Sequence, residues 1–452
     1  MLRNKWLKQW ITPAKILVFG FLFIIAIGTL LLYLPIASST GKSISFLNAL
    51  FTATSATCVT GLVVLDTGTD FSHFGQIVMI MLVQVGGIGF MTMATLIALV
   101  LNKKISLRER LILQEALNHG SMDGVVRLVK KVILYSLMIE VVGAILITLR
   151  FSREMPWGQA SYFGIFHSIS MFNNAGFDLY GMIKGPFSGL SSYVNDPFMN
   201  IVLMGLIFLG GIGFVVLSDV IEFPTKRRFS LHSKVVLSAT LMLVVVGTLV
   251  IFAMEYNNPQ TLKPLSPTGK VWASLFQSIT TRSGGVNTVD IGALQQSTQF
   301  FMIILMFIGA APGSTGGGIK ITTFVLLVGA VYAMIRGKED VILFRKRIAK
   351  KVVYKAVTLT MLSLVLIVIF SMLLSLTEHK DFLTILFEST SAFGTTGISM
   401  GLTTELSPLG KVWIICLMFL GRMGPLTLAY ALSKTEIEKE LFSYPEGKII
   451  IG

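Results

Sequence analysis

The sequence predicts an all-α integral membrane protein in which one structural unit is repeated four times around a common axis. Composition carries the first step: 452 residues, 53% hydrophobic, 13% charged and a mean hydropathy of +0.77 are too apolar even for a soluble chain of two or three domains. Long apolar runs carry the second. Charge-free stretches cover 16–41, 74–102, 197–218, 235–254, 291–319 and 356–377, while 132–149 holds one acid, Glu140, and 412–433 one base, Arg422. Each can cross the roughly 30 Å of bilayer hydrocarbon as a helix. The third observation is that a shorter, moderately apolar stretch recurs between successive pairs of these runs.

The first unit opens with a basic leader, "MLRNKWLKQW", and "PIASS" further on loosely mimics a signal-peptidase site. The apolar run between them is too long for a signal peptide, so a retained first helix is expected. The short stretches are "SISFLNALFTATSA", "QASYFGIFHSISM", "KVWASLFQSITT" and "DFLTILFESTSA". A helix of about 12 residues covers only about 18 Å, which suits a re-entrant helix and not a span. Each runs into a polar, glycine-containing segment: "TCVTGL", "FNNAGF", "TRSGGV" and "FGTTGI".

Aligning these segments puts Gly61, Gly176, Gly285 and Gly397 in register, 115, 109 and 112 residues apart, an internal fourfold repeat. The following spans repeat as well, as "VGGIGF", "LGGIGF", "IGAAPG" and "LGRMGP", whose glycines Gly86, Gly210, Gly309 and Gly421 lie 25, 34, 24 and 24 residues downstream of the first set. The second unit therefore carries a longer outer loop, around "LYGMIKGPFSGLSSYVNDP". Non-helical backbone at membrane depth survives where it is buried in protein or lines an aqueous cavity. Four such loops on a pseudo-fourfold axis converge on one pore. There, inward carbonyls replace an ion's hydration shell, and glycine supplies the positive φ that aims them. Glycine also serves helix packing in membranes, but four at matching offsets from four short helices point to the pore.

The net charge of +14 raises nucleic acid as a partner, but its distribution points elsewhere. With both termini cytoplasmic and eight spans, 27 of the 37 Lys and Arg fall inside, nine outside and one, Arg422, in the membrane, which is the positive-inside bias. The most basic inner loop, "RGKEDVILFRKRIAKKVVYK" (336–355), is either a topological signal or a docking surface. Cys58 and Cys416 suggest neither a disulfide framework nor a metal site.

The third unit's second run is interrupted by Gly309, Ala310, Ala311, Pro312, Gly313, Ser314, Thr315, Gly316, Gly317 and Gly318. A continuous helix through five glycines and a proline is penalised by about 8 kcal/mol. A phosphate-binding loop is a poor match to "GSTGGGIKIT", because the lysine comes one residue late and no strand precedes it, so no enzyme is expected. Acids follow each aligned glycine: Asp66, Asp178, Asp290 and Glu405. Either they concentrate cations at the mouth or they are ordinary loop acids. Arg282 is expected to point behind its loop toward an acid, with Asp290 a candidate. Thr52, His167, Gln277 and Glu388, each after a phenylalanine of a short helix, are placed to brace the loops, and His167 reads best as a satisfied core residue.

At "SATCVTGLVVLD", "MFNNAGFDLYG", "ITTRSGGVNTVDIG" and "SAFGTTGISMGL" the chain resembles the superfamily of potassium transporters that includes TrkH, KtrB and the plant HKT proteins, over essentially its whole length. With no extra spans before the repeat, it looks most like the KtrB branch, the ion-translocating subunits of bacterial Ktr systems. The resemblance implies four potassium-channel-like M1-P-M2 units around one central pore, at 14–102, 130–220, 234–336 and 355–433, a cytoplasmic tail at 434–452, and a homodimer. It implies gated, potential-driven potassium uptake across the bacterial cell membrane. A selectivity filter would be formed by Val59, Thr60 and Gly61, Asn174, Ala175 and Gly176, Ser283, Gly284 and Gly285, and Thr395, Thr396 and Gly397.

In relatives a serine at the first filter position accompanies sodium selectivity, so four glycines favour K+. Na+ is implied as an activator, with no covalent cofactor, and a cytosolic nucleotide-binding ring (KtrA-like) as the regulatory partner besides membrane lipid. Its candidate contacts are 102–131, 336–355 and the tail. The interruption at 309–318 matches an intramembrane gate in the family, the alternative being an immobile kink. Arg422 in the equivalent place of the fourth unit is either an electrostatic barrier or half of a salt bridge, for instance with Glu140. The third unit departs from its sisters: Phe276 to Gly285 is one residue shorter than the spacing after Phe51, Phe166 and Phe387. An alternating-access carrier is the rival mechanism, and a sodium-selective relative the rival specificity.

Overall fold

The computed structural model describes residues 13–89, 92, 111–112, 125–425 and 427. The basic leader, most of 102–131 and the tail at 434–452 lie outside the described residues. The first quarter holds α1 (Pro13–Tyr33), α2 (Phe46–Cys58) and α3 (His73–Ile88). The second holds α4 (Val125–Phe151), α5 (Trp157–Phe172), α6 (Pro197–Gly211) and α7 (Phe214–Ile221). The third holds α8 (Leu231–Glu255), α9 (Pro267–Thr280), α10 (Gln296–Ile308) and α11 (Ile321–Ile335). A two-stranded hairpin, β1 (Ile342–Leu343) and β2 (Lys346–Arg347), leads to α12 (Lys350–Thr377), α13 (Phe382–Gly394) and α14 (Pro408–Met423).

Helix starts follow local chemistry. The Ser45, Ser72, Ser230, Ser266 and Ser407 hydroxyls and the Asp196 carboxylate each accept the backbone N–H three residues on, at 3.0–3.3 Å. Pro197, Pro267 and Pro408 occupy the next position, where a missing N–H costs nothing.

Among the described residues α1, α4, α8 and α12 are long and apolar enough to cross a membrane. Their outer faces present Phe19, Phe23, Leu30, Leu241, Met242, Leu249, Met361 and Met372 as exposed side chains, as a lipid-facing surface requires. The helices that follow the short ones are shorter, and among the described residues two of these spans are broken, in the second and third quarters. The sequence placed a break only in the third quarter, yet α6 and α7 meet at 109°. The cause is Gly213, whose φ of 88° and ψ of 143° end one helix and begin the next. Gly89 (φ 89°, ψ 131°) and Gly424 (φ 77°, ψ 136°) adopt the same backbone at the matching ends of α3 and α14.

The packing closes on itself. Each second span lies against the short helix of the following quarter: α3 on α5, α6 on α9, α10 on α13, and α14 back on α2. Phe51, Phe166, Phe276 and Phe387, at equivalent points of the short helices, are all buried in the cores between them.

Candidate ion pathway

The four short helices deliver their polar loops to one place. Gly61, Gly176, Gly285 and Gly397 all have positive φ, of 89°, 72°, 74° and 84°. Their Cα atoms face neighbouring loops so closely that no side chain fits. A Cβ on Gly61 would overlap the Ala175 carbonyl, and one on Gly176 would come within 2.6 Å of Gly285 Cα. One on Gly285 would come within 3.0 Å of the Thr396 oxygen, and one on Gly397 would overlap the Thr60 carbonyl. These adjacencies run from first loop to fourth and back to the first, so the ring is closed.

The loops share a backbone. Two residues before the glycine, Val59, Asn174 and Thr395 are left-handed, with φ of 58°, 59° and 46°. Next to them the N–H groups of Thr60, Ala175 and Thr396 turn back to the carbonyls of Ser55, Ser170 and Ser391 at 2.8–2.9 Å. The third loop, one residue shorter, keeps this last bond as Gly284 N–H to Thr280 O at 2.6 Å. Ser283 does not take up the left-handed conformation, so the missing residue is absorbed there.

Hydroxyls on the short helices hold the loops from behind. Ser55 Oγ accepts the Gly61 N–H at 3.1 Å, while Ser170 and Thr280 donate to the Phe177 and Val286 carbonyls at 2.6 Å. Ser391 occupies the fourth equivalent place, its hydroxyl buried and without a hydrogen-bond partner among the described residues. The reading of the sequence missed this set. Its signal was there, a serine or threonine six residues before the aligned glycine, or five in the shorter loop.

The bracing positions divide. His167 Nδ1 lies 2.7 Å from the Phe163 carbonyl and its Nε2 accepts the Leu179 N–H at 3.1 Å, which makes it a satisfied core residue. Glu388 takes the hydroxyls of Ser399, at 2.8 Å, and Thr403. Thr52 is buried, and the amide oxygen and nitrogen of buried Gln277 lack a partner among the described residues.

Above the glycine ring a cavity of about 290 Å³ is lined by Asp66, Asp178, Asp290 and Phe187 with the loop backbones. Asp66 is spoken for: it accepts from Thr69 N and Oγ1 and, at 2.8 Å, from the N–H of Phe187 in the long outer loop of the second quarter. Glu405 does not belong to this lining. It is paired with Lys380 at 2.6 Å and ends a short helix, Leu402–Glu405, whose Thr403 and Thr404 do line the cavity.

Below the ring lies the interruption of the third second span. The Gly309 (φ 64°) end of α10 begins a loop that regains helix only at Ile321. The loop is tied to the α6–α7 break: Ala311 N–H to Gly211 O at 3.0 Å, Thr315 N–H to Gly210 O at 3.3 Å, and Phe214 N–H to Gly313 O at 2.9 Å. The Asn174 amide is 2.7 Å from the Thr315 hydroxyl. A Cβ on Gly316 would come within 2.7 Å of the Ser283 Cβ, and one on Gly317 within 2.8 Å of the Gly394 carbonyl. Loop residues thus touch the second, third and fourth polar loops from beneath, with Ala310 and Ala311 buried and Pro312, Ser314 and Gly318 completing the turn.

Three cations surround this loop, Arg282 buried and Lys320 and Arg422 partly buried. Arg422 donates to the carbonyls of Thr315, Gly86 and Gly87; Lys320 donates to Gly316 O at 2.5 Å and Gly317 O at 3.4 Å; Arg282 Nη2 reaches Gly309 O at 3.4 Å. None has an acidic partner among the described residues, which corrects the pairing expected of Arg282 and sets aside the salt-bridge alternative for Arg422. Asp290 instead caps Gly292 N–H at 2.9 Å, and Glu140 accepts from Gln84 at 2.9 Å and Asn173 at 3.0 Å. A guanidinium that finds several backbone carbonyls needs no carboxylate. The second set of glycines has a packing role: a Cβ on Gly86, Gly210 or Gly421 would overlap the carbonyl of Thr57, Phe172 or Phe393, where a short helix ends. Gly309 faces Gly317 and Gly318 of its own loop.

Residues 10–444 match the model of the TrkH family, described as cation transport proteins. The chain belongs to the TrkH family. That membership makes it a membrane transport protein and not an enzyme. It is 45% identical over 448 residues to the Ktr system potassium uptake protein B of Bacillus subtilis (strain 168), covering 99% of this chain and 98% of the relative. It is also 36% identical over 454 residues to the potassium/sodium uptake protein NtpJ of Enterococcus hirae, covering 99% of each. The crystal structure of the potassium transporter TrkH from Vibrio parahaemolyticus superposes with a TM-score of 0.71 over 92% of this chain and 84% of that one, at 19% identity, a likeness of fold. TrkH-type architecture thus accounts for the closed packing of four quarters.

Proposed function

We propose that this protein takes up potassium ions across the cytoplasmic membrane through a gated, channel-like pore. The observation that carries the reading is the closed ring of four positive-φ glycines. Backbone oxygens around such a ring replace water on a dehydrated cation, and a ring without side chains keeps the passage narrow enough for them to do so. The relatives named above, whose names specify uptake of potassium or of potassium and sodium, support K+ as the ion. An interior-negative potential drives entry by about 2.3 kcal/mol per charge per 100 mV.

In this reading the filter is Val59–Thr60–Gly61, Asn174–Ala175–Gly176, Ser283–Gly284–Gly285 and Thr395–Thr396–Gly397, within repeats at 14–102, 130–220, 234–336 and 355–433. The segment from Gly309 to Gly318 is the gate, held shut by Arg422 and Lys320. Its supports are its position under three of the loops and its bonds to the α6–α7 break. The protein is a multi-pass homodimer with cytoplasmic termini, activated by Na+ and regulated by a cytosolic nucleotide-binding ring. A Ktr system by name has more than one component, which supports the ring.

The test is 86Rb+ uptake into vesicles under an imposed potential, with K+ or Na+ as competitor. Strong competition by K+ and weak competition by Na+ is the expected outcome; equal competition would reassign the ion.

A further inference from the structure

The segment joining α11 to α12 does not run straight into the aqueous phase. Helix α11 ends in a Schellman motif: Gly337, at φ 65°, donates to Met334 O at 3.0 Å and Lys338 N–H to Ala333 O at 2.9 Å. That reversal sends the β1–β2 hairpin back along its own helix. A Cβ on Gly329 would lie 3.1 Å from Val341 Cγ1 and 3.7 Å from Leu343 Cδ2. Gly329 is six residues before the end of α11, about 9 Å back along its axis. Val341 is buried by this contact, while Ile342 and Phe344 face outward at 57% and 53% exposure. Beside them Tyr332, Met334 and Ile335 leave the end of α11 exposed and apolar.

Charge is layered on this apolar edge. Residues 336–355 hold eight Lys or Arg against two acids. Both acids are engaged, Asp340 with Arg347 at 3.0 Å and Glu339 with Lys350 at 3.3 Å. Arg345, Lys346 and Lys351 have no acidic partner among the described residues. The hairpin turns through Phe344 (φ 48°) and Arg345 (φ 62°), left-handed positions where glycine or asparagine would fit with less strain. Bulky and cationic side chains stand at the tip instead, and an outlier of this kind is a reason to look for a role.

The geometry points to an anionic-lipid site: the hairpin seats Phe344 and Ile342 in the edge of the inner leaflet while Arg345 and Lys346 hold the phosphates of acidic phospholipids. The inner-leaflet placement rests on the orientation proposed above. Lipid is favoured over a protein partner because the hairpin lies back along a membrane helix, so its apolar and basic residues sit at the depth of acyl chains and headgroups respectively.

The test uses the full chain reconstituted in vesicles, with Phe344→Trp as a reporter and brominated phosphatidylglycerol or brominated phosphatidylcholine as quencher. Quenching above that of the parent's own five tryptophans, and stronger with phosphatidylglycerol, is expected. Arg345→Gln and Lys346→Gln should weaken that preference by about fivefold for each charge removed. Equal quenching by the two lipids would overturn the proposal, as would a reporter that iodide reaches freely until the purified cytosolic ring is added. The second result would assign the hairpin to the protein partner. Rubidium uptake by the same vesicles reports separately on the pore, so failure of one reading is not failure of the other.

Discussion

Arg422, near the end of α14, donates to the carbonyl oxygen of Thr315, in the middle of the intramembrane loop of the preceding quarter, and the same guanidinium holds Gly86 of the first quarter. One side chain thereby ties the loop to the span on its far side. Hydrogen bonds from a charged donor contribute about 1.5–3 kcal/mol each. Arg422→Gln shortens the reach and removes the charge, so potential-driven rubidium uptake should rise by about tenfold or more. Unchanged uptake by a variant that assembles normally would remove Arg422 from the gate.

Lys320 offers a separable test of the same loop. Its φ of 76° and ψ of 135° match the backbone of Gly213 and Gly424 at the other helix breaks, yet it is not a glycine. A residue with a Cβ is held there by its surroundings, here by the ammonium on Gly316 and Gly317. Lys320→Gly keeps the backbone and deletes the latch, so uptake should rise while thermal stability holds. Lys320→Ala deletes the latch and keeps the strain, and should lose about 1 kcal/mol of stability relative to the glycine variant.

The hydroxyls behind the loops differ in a way that can be measured. Ser170 donates to the Phe177 carbonyl at 2.6 Å, and the Ser391 hydroxyl at the equivalent place has no partner among the described residues. Ser170→Ala should cost about 1 kcal/mol and loosen discrimination between K+ and Na+. Ser391→Ala should be near neutral in both, because a buried hydroxyl without a bond contributes no bond to lose. Competition assays on the two variants decide between positioning and mere packing.

The second glycines are tested by stability, not by flux. A methyl at Gly421 would overlap the Phe393 carbonyl. Gly421→Ala should destabilise the protein by about 1–3 kcal/mol through forced separation of α14 from α13. A melting temperature equal to the parent's would show that the helices separate freely.

The fourfold plan was legible because each quarter repeats a glycine at a fixed offset from a helix too short to span, and both signals are properties of local sequence. The partners of Arg282 and Arg422 were not legible. A carboxylate was expected for Arg282 and was one of two readings for Arg422, because acids have a letter in the sequence and backbone carbonyls do not. Gly309 O and Thr315 O became acceptors only once the loop folded beneath the ring. The bend at Gly213 was within reach: "LGGIGF" repeats "VGGIGF", and the third glycine of that motif is the one with positive φ. Charge-free length hid it, since an apolar run reads the same whether its helix is straight or bent by 109°. Glu405 was grouped with the mouth acids by counting along the chain, and counting could not show that Lys380 pairs with it.

The most direct measurement of the central claim is competition by K+ and Na+ against rubidium uptake in vesicles containing the parent or Gly285→Ala. In the structure a Cβ at this position would come within 2.6 Å of Gly176 Cα and 3.0 Å of Thr396 O, two neighbours in the ring. The account predicts uptake by the parent that K+ suppresses far better than Na+, and loss of that uptake in an alanine variant that still folds and assembles. Parent-like, K+-selective uptake by Gly285→Ala would contradict it.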